Sequence, residues 1–106
     1  MKTILLILAL PLVFTRVSNV HAETTTALFQ KYRCSICHAD REPGAGPAYV
    51  DIASRYRGTP KADARLVALI RKGARSGGPW HMPPHPEVSR AAASQMARYI
   101  LSLNSK

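Results

Sequence analysis

The apolar positions of this chain form one unbroken run followed by several stripes at helical spacing. Thr3 to Phe14 is almost wholly apolar and follows Lys2. Beyond it, Leu28, Phe29 and Tyr32 share one face of a helix predicted from about Thr25 to Tyr32. After a Gly/Pro-rich loop from Glu42 to Pro47, Tyr49, Ile52, Ala53 and Tyr56 share a face of a short helix that Gly58 would stop. Thr59 and Pro60 read as the cap and first turn of a third helix, which buries Leu66, Leu69 and Ile70. Gly73 would end it, with Arg71 and Lys72 beside the negative helix terminus. Ser89 is expected to cap a last helix, whose stripe of Ala93, Met96, Ala97, Ile100 and Leu101 ends near Leu103.

No stretch alternates apolar and polar residues long enough to predict a strand. The prolines between Gly77 and Pro86 lack amide donors and force extended geometry on their predecessors, so that segment is expected to be a stiff loop. The expectation is an all-α fold. About four helices would surround a single core.

The leading apolar run changes the domain count. Lys2, the run itself and the small-residue site Val20-His21-Ala22 have the pattern of an export signal, with cleavage expected after Ala22. The rival reading is a retained membrane anchor, but the run is about 12 residues where a spanning helix needs roughly 20. Residues 1–22 are therefore expected to be a cleavable signal peptide, and residues 23–106 the functional domain. His21 leaves with the signal. The remaining domain has about 84 residues, a size at which a core of side chains alone is marginal and a bound apolar cofactor would add buried surface.

The formal charge is +9, and losing Lys2 and Arg16 with the signal lowers it to about +7. A basic surface suggests acidic partners met through electrostatic steering. Nucleic acid is the competing partner class, but the charges are scattered and no nucleic-acid motif accompanies them, so none is expected.

The chemistry lies in Cys34-Ser35-Ile36-Cys37-His38. Two thiols at this spacing meet the two vinyl groups of a haem, and the next residue stands beneath its iron. His38 offers the neutral imidazole nitrogen that haem iron binds. Three other readings compete. A dithiol redox motif would need a βαβ context that this chain lacks. A disulfide across two residues is a strained small loop with little entropic benefit. Zinc wants four ligands and would have to recruit histidines from the proline-rich loop.

A six-coordinate iron needs a second axial ligand, for which the candidates are Met82, Met96, His81 and His85. Met82 lies in a loop stiffened by Pro83 and Pro84, whereas Met96 sits in the apolar stripe of a helix. His81, beside Met82, would give bis-histidine ligation and remains open. His81 and His85 are otherwise solvent-facing residues beside the haem edge, able to titrate near neutrality. Trp80 and Arg75 are candidate partners of the haem propionates, with Lys72, Arg71 and Arg55 as alternative donors. Phe29 and Tyr99 read as helix-packing aromatics rather than electron relays.

Taken in order, these residues resemble the small class I bacterial cytochromes c of the c551/c552 (cytochrome c8) type. The likeness rests on Leu28-Phe29, Cys34 to His38, Gly46-Pro47-Ala48-Tyr49, Asp51-Ile52-Ala53 with Tyr56, Ile70 to Gly73, Met82-Pro83-Pro84, and Ala97 to Leu103. It spans nearly all of residues 23–106. The resemblance implies one haem c per chain, covalently held by Cys34 and Cys37 and sandwiched by helices. It also implies His38 and Met82 as axial ligands, and a Pro47 carbonyl that accepts the second imidazole proton. His81 departs from the pattern, standing where such cytochromes often carry proline.

The function expected on these grounds is a periplasmic one-electron shuttle, not itself an enzyme. Its partners would be reductases or terminal oxidases with acidic docking faces. A monomer with no lasting membrane insertion is expected. Two alternatives stand beside it: a haem-based small-ligand sensor, and an electron-relay subunit of a larger periplasmic oxidoreductase.

Overall fold

A computed structural model describes residues 11–13, 15, 22–75 and 81–104. Most of the predicted signal, including Val20 and His21, lies outside the described residues, as do Gly77 to Trp80. Four helices form the domain: α1 Thr25–Lys31, α2 Tyr49–Tyr56, α3 Ala62–Lys72 and α4 Arg90–Ser102. A single 3₁₀ turn, Cys34–Ile36, follows α1.

Local chemistry explains most helix ends. The Thr24 hydroxyl accepts from the Ala27 amide at 3.1 Å and starts α1. Ser89 does the same for α4, accepting from the Ala92 amide at 3.1 Å. Helix α2 has no capping side chain; its first amides instead donate to backbone just past His38, Tyr49 to Ala39 at 2.9 Å and Val50 to Asp40 at 3.0 Å. At the other end of the fold, Arg57 donates to the Leu101 and Leu103 carbonyls, satisfying the C-terminal end of α4.

The start of α3 differs from the sequence expectation. Thr59 does not cap it; its hydroxyl and amide both donate to the Tyr56 carbonyl, at 2.7 and 3.0 Å, and so close α2 instead. The N-cap is Lys61, in a left-handed conformation at φ 55. A threonine hydroxyl serves whichever orphan backbone group lies nearer, and here the end of α2 reaches it first.

Helix α4 packs against α1, α2 and α3, and the core lies along it. Leu28, Phe29, Tyr49, Ala53, Leu66, Ile70, Val88, Ala93, Met96, Ala97 and Ile100 form one buried cluster. The expectation of no strand needs one amendment. Strands β1 Ala74–Arg75 and β2 His81–Met82 pair antiparallel, Ala74 opposite Met82 and Arg75 opposite His81. His81 and Met82, which lie between Pro79 and Pro83, both keep their amides and leave room for this two-residue pairing. The fold remains all-α with one minimal hairpin.

Candidate functional site

Helix α1 ends at Lys31 with Tyr32 as its cap, and the left-handed backbone of Arg33 (φ 62) then turns the chain into the 3₁₀ turn bearing Cys34. That turn closes tightly: the amides of Cys37 and His38 both donate to the Cys34 carbonyl, at 3.1 and 3.0 Å. Both cysteines are half-buried and not joined by a disulfide, on one short stretch of backbone. Burial pushes the Cys34 thiol up from its ordinary value, and the negative charges of Glu87 and Cys37 add to the shift against a backbone hydrogen bond that opposes it.

The chain then folds back on itself. Gly46 donates its amide to the Cys37 carbonyl at 2.9 Å, and the His38 Nδ1 lies 2.7 Å from the Pro47 carbonyl oxygen. A carbonyl can only accept, so Nδ1 carries the proton in this hydrogen bond and Nε2 presents a lone pair. The ring has no room on the Gly46 side. A Cβ built on Gly46 would stand 2.5 Å from His38 Cε1 and 2.8 Å from Nδ1.

Met82 is positioned from a different part of the molecule. Helix α3 stops at Gly73, whose amide donates to the Leu69 carbonyl at 2.9 Å and whose backbone adopts φ 82, ψ 170. That conformation is essentially restricted to glycine. The hairpin then returns Met82 beside Gly73, and the segment beyond it is pinned to α3: the His85 amide donates to the Ile70 carbonyl at 3.1 Å and Arg71 Nε to the Val88 carbonyl at 3.0 Å. Lys72, Gly73, Ala74, Arg75, His81, Met82 and Pro84 line a cleft of about 390 Å³.

Within the hairpin, Met82 is half-buried against the core and His81 is exposed. Adjacent residues of a strand project to opposite faces. Of the other sequence candidates, Met96 is wholly buried in the core cluster. His85 is not the solvent-facing residue expected: it is partly buried, with its Nδ1 3.2 Å from the Glu87 carboxylate. The Pro84-His85-Pro86 backbone, tied to Ile70, holds that ring inward. Arg75 is exposed on the rim of the cleft, while Arg71 already serves Val88. Trp80 lies outside the described residues. Phe29 is buried, and Tyr99 meets it edge-on while donating its hydroxyl to Asp40 at 2.6 Å.

Two neighbours of His38 were not marked as site residues from the sequence. Gly46 backs the ring, and Tyr49 stacks on it with ring centroids 5.3 Å apart and planes 17° from parallel. Both belong to the Gly46-Pro47-Ala48-Tyr49 stretch, but Tyr49 also fits the apolar face of α2, and that simpler role masks the other.

The donor set suits a haem. It comprises two thiols on one turn, an imidazole nitrogen with a free lone pair beside them, and a half-buried thioether at a cleft. Comparison with known proteins agrees. The family model described as cytochrome C oxidase, cbb3-type, subunit III matches residues 21–100. Cytochrome c-551 of Allochromatium vinosum is 39% identical over 77 residues, 72% of this chain and 82% of that protein. This chain is a c-type cytochrome of the c-551/c-552 family. Cytochrome c-551 of Pseudomonas aeruginosa is 38% identical over 76% of the cytochrome and 78% of its own length. The crystal structure of wild-type Nitrosomonas europaea cytochrome c552 superposes with a TM-score of 0.71 at 35% identity, covering 74% of the cytochrome and 99% of that chain. The cofactor is covalently attached haem c, and the cytochrome has two cysteines to hold it. Its relatives are electron carriers, and the cytochrome works in electron transfer with redox partners.

Proposed function

We propose that this cytochrome is a periplasmic one-electron carrier, released from its export signal after Ala22, with His38 and Met82 as the axial ligands of its haem. The observation that carries the reading is the Pro47 carbonyl 2.7 Å from His38 Nδ1, which leaves Nε2 free to ligate and holds the ring as a ligating histidine requires. When bound, the haem supplies the Fe(III)/Fe(II) couple. Met82 contributes a soft thioether from a hairpin anchored to α3, which keeps it in place through a change of charge. His81, on the other face of β2, is a poor substitute. Arg75 on the cleft rim and Trp80 are assigned to the haem propionates.

The ferric spectrum tests the ligand set. A methionine sulfur-to-iron charge-transfer band is expected in the native protein, together with little carbon monoxide uptake by the ferrous form. An absent band would remove Met82 as ligand, and rapid uptake would favour a ligand sensor.

Docking is proposed at the haem edge near Cys34, Cys37 and the proline-rich loop, where Ile36 is 73% exposed, with exposed Lys31, paired to Glu23, and Arg33 beside the attachment turn and exposed Lys72 on the Met82 cleft. Such a face suits an acidic redox partner. Association with that partner is therefore expected to slow as salt rises, because exposed charges are screened beyond about 8 Å at physiological ionic strength. Stopped-flow rates over a salt series measure this, and a flat profile would refute steering. A relay subunit of a larger oxidoreductase is the second reading, favoured by the description of the matching family model. Copurification that survives high salt would select it.

A further inference from the structure

We propose that Tyr49 is a positioning residue for His38: its ring, backed by Phe29, sets the plane in which the imidazole stands and hence the orientation presented to the haem iron. The inference rests on His38 being an axial ligand. A single hydrogen bond to the Pro47 carbonyl fixes where Nδ1 points but leaves the ring able to rock about that bond. A flat wall alongside removes that freedom.

Tyr49 has the geometry of such a wall. Its ring lies 5.3 Å from the His38 ring at 17°, and Phe29 stacks on Tyr49 at 4.6 Å and 25°. Tyr99 of α4 then braces Phe29 edge-on at 5.6 Å. These separations and angles are those of interacting aromatic pairs. The column thus links the imidazole through α2 and α1 to α4. Its register is set by backbone, because Tyr49 and Val50 donate to the carbonyls of Ala39 and Asp40, the two residues after His38. Gly46 limits the ring further, since a Cβ there would fall within 2.9 Å of three of its atoms.

The hydroxyl of Tyr49 separates this role from ordinary polar anchoring. It is buried, and no protein group among the described residues holds the ring through it. What remains at this position is the flat face.

Proton NMR of the ferric holoprotein reads the orientation of an axial imidazole in the pattern of hyperfine-shifted haem methyl resonances. Tyr49→Phe keeps the face and is expected to reproduce the wild-type pattern. Tyr49→Leu removes it and is expected to redistribute the methyl shifts, a change that simple loss of stability would not produce. Phe29→Leu, which removes only the backing, is expected to move the pattern in the same direction and serves if Tyr49→Leu does not fold. Unchanged methyl order in the folded leucine variants, or a Tyr49→Phe spectrum matching Tyr49→Leu, would overturn the proposal. Absence of hyperfine-shifted imidazole resonances from the wild-type spectrum would overturn the ligand reading itself, and this proposal with it.

Discussion

Replacing Met82 with alanine is expected to erase the sulfur-to-iron charge-transfer band and lower the reduction potential by on the order of 100 mV or more, within the ~0.8 V over which axial ligands move haem potentials. The sign follows from ligand chemistry. A thioether is a soft, neutral donor that favours ferrous over ferric iron, so its loss stabilises the oxidised state. Little should replace it from nearby. His81 is exposed on the opposite face of β2, and bringing it to the iron would require breaking the pairing of His81 with Arg75 and of Met82 with Ala74. His85 is held inward by its amide bond to Ile70 and by the Glu87 carboxylate. The variant should therefore take up carbon monoxide readily in the ferrous form, where the wild type does not. Voltammetry and visible spectra of both proteins check this, and an unchanged band and potential would assign the ligand elsewhere.

Gly73→Ala should be the most damaging change outside the ligands themselves. At φ 82, ψ 170 the backbone of Gly73 occupies a region open in practice only to glycine, costing an alanine about 1–3 kcal/mol. The new Cβ would also stand 2.7 Å from the Met82 carbonyl oxygen and 3.0 Å from the Pro84 nitrogen, both backbone atoms that cannot rotate aside. Relieving that overlap adds about 1–3 kcal/mol. The expected total of about 2–6 kcal/mol corresponds to a fall in Tm of roughly 10 °C or more for a domain of this size. The hairpin must give way as well, so carbon monoxide uptake should rise. Gly58→Ala is the control: Gly58 also has positive φ, at 85, but a Cβ there meets nothing within 4 Å. It should cost about 1–2 kcal/mol from backbone strain and leave ligand uptake unchanged. Equal behaviour of the two alanine variants would show that the approach of Gly73 to the Met82 loop is unimportant.

The chemistry at one face of the haem was legible because it is local. Two thiols and an imidazole within five consecutive residues need only one turn of backbone to come together, and the hydrogen bonds of Cys37 and His38 to the Cys34 carbonyl supply that turn. The same holds for helix stops and starts that depend on a few adjacent residues, such as Ser89 at α4 and Gly73 after α3. Where two local signals competed, as at Thr59, the pattern could not say which helix the hydroxyl would serve.

By itself, then, the sequence determined the helical periodicity, the attachment turn and the short set of candidate sulfur and nitrogen donors, since each depends on covalent chemistry or neighbours a few residues apart. Only the tertiary structure decided which groups meet across the chain. The Pro47 carbonyl reaches His38 because Gly46 returns to Cys37, and Tyr49 faces the imidazole because α2 is capped by Ala39 and Asp40. Met82 occupies the cleft rather than solvent because α3 anchors the hairpin through Ile70 and Arg71, and the strand pairing turns His81 outward. Each of these hydrogen bonds ends on a backbone carbonyl, a group that every residue carries, so side-chain patterns hold no record of which one is met.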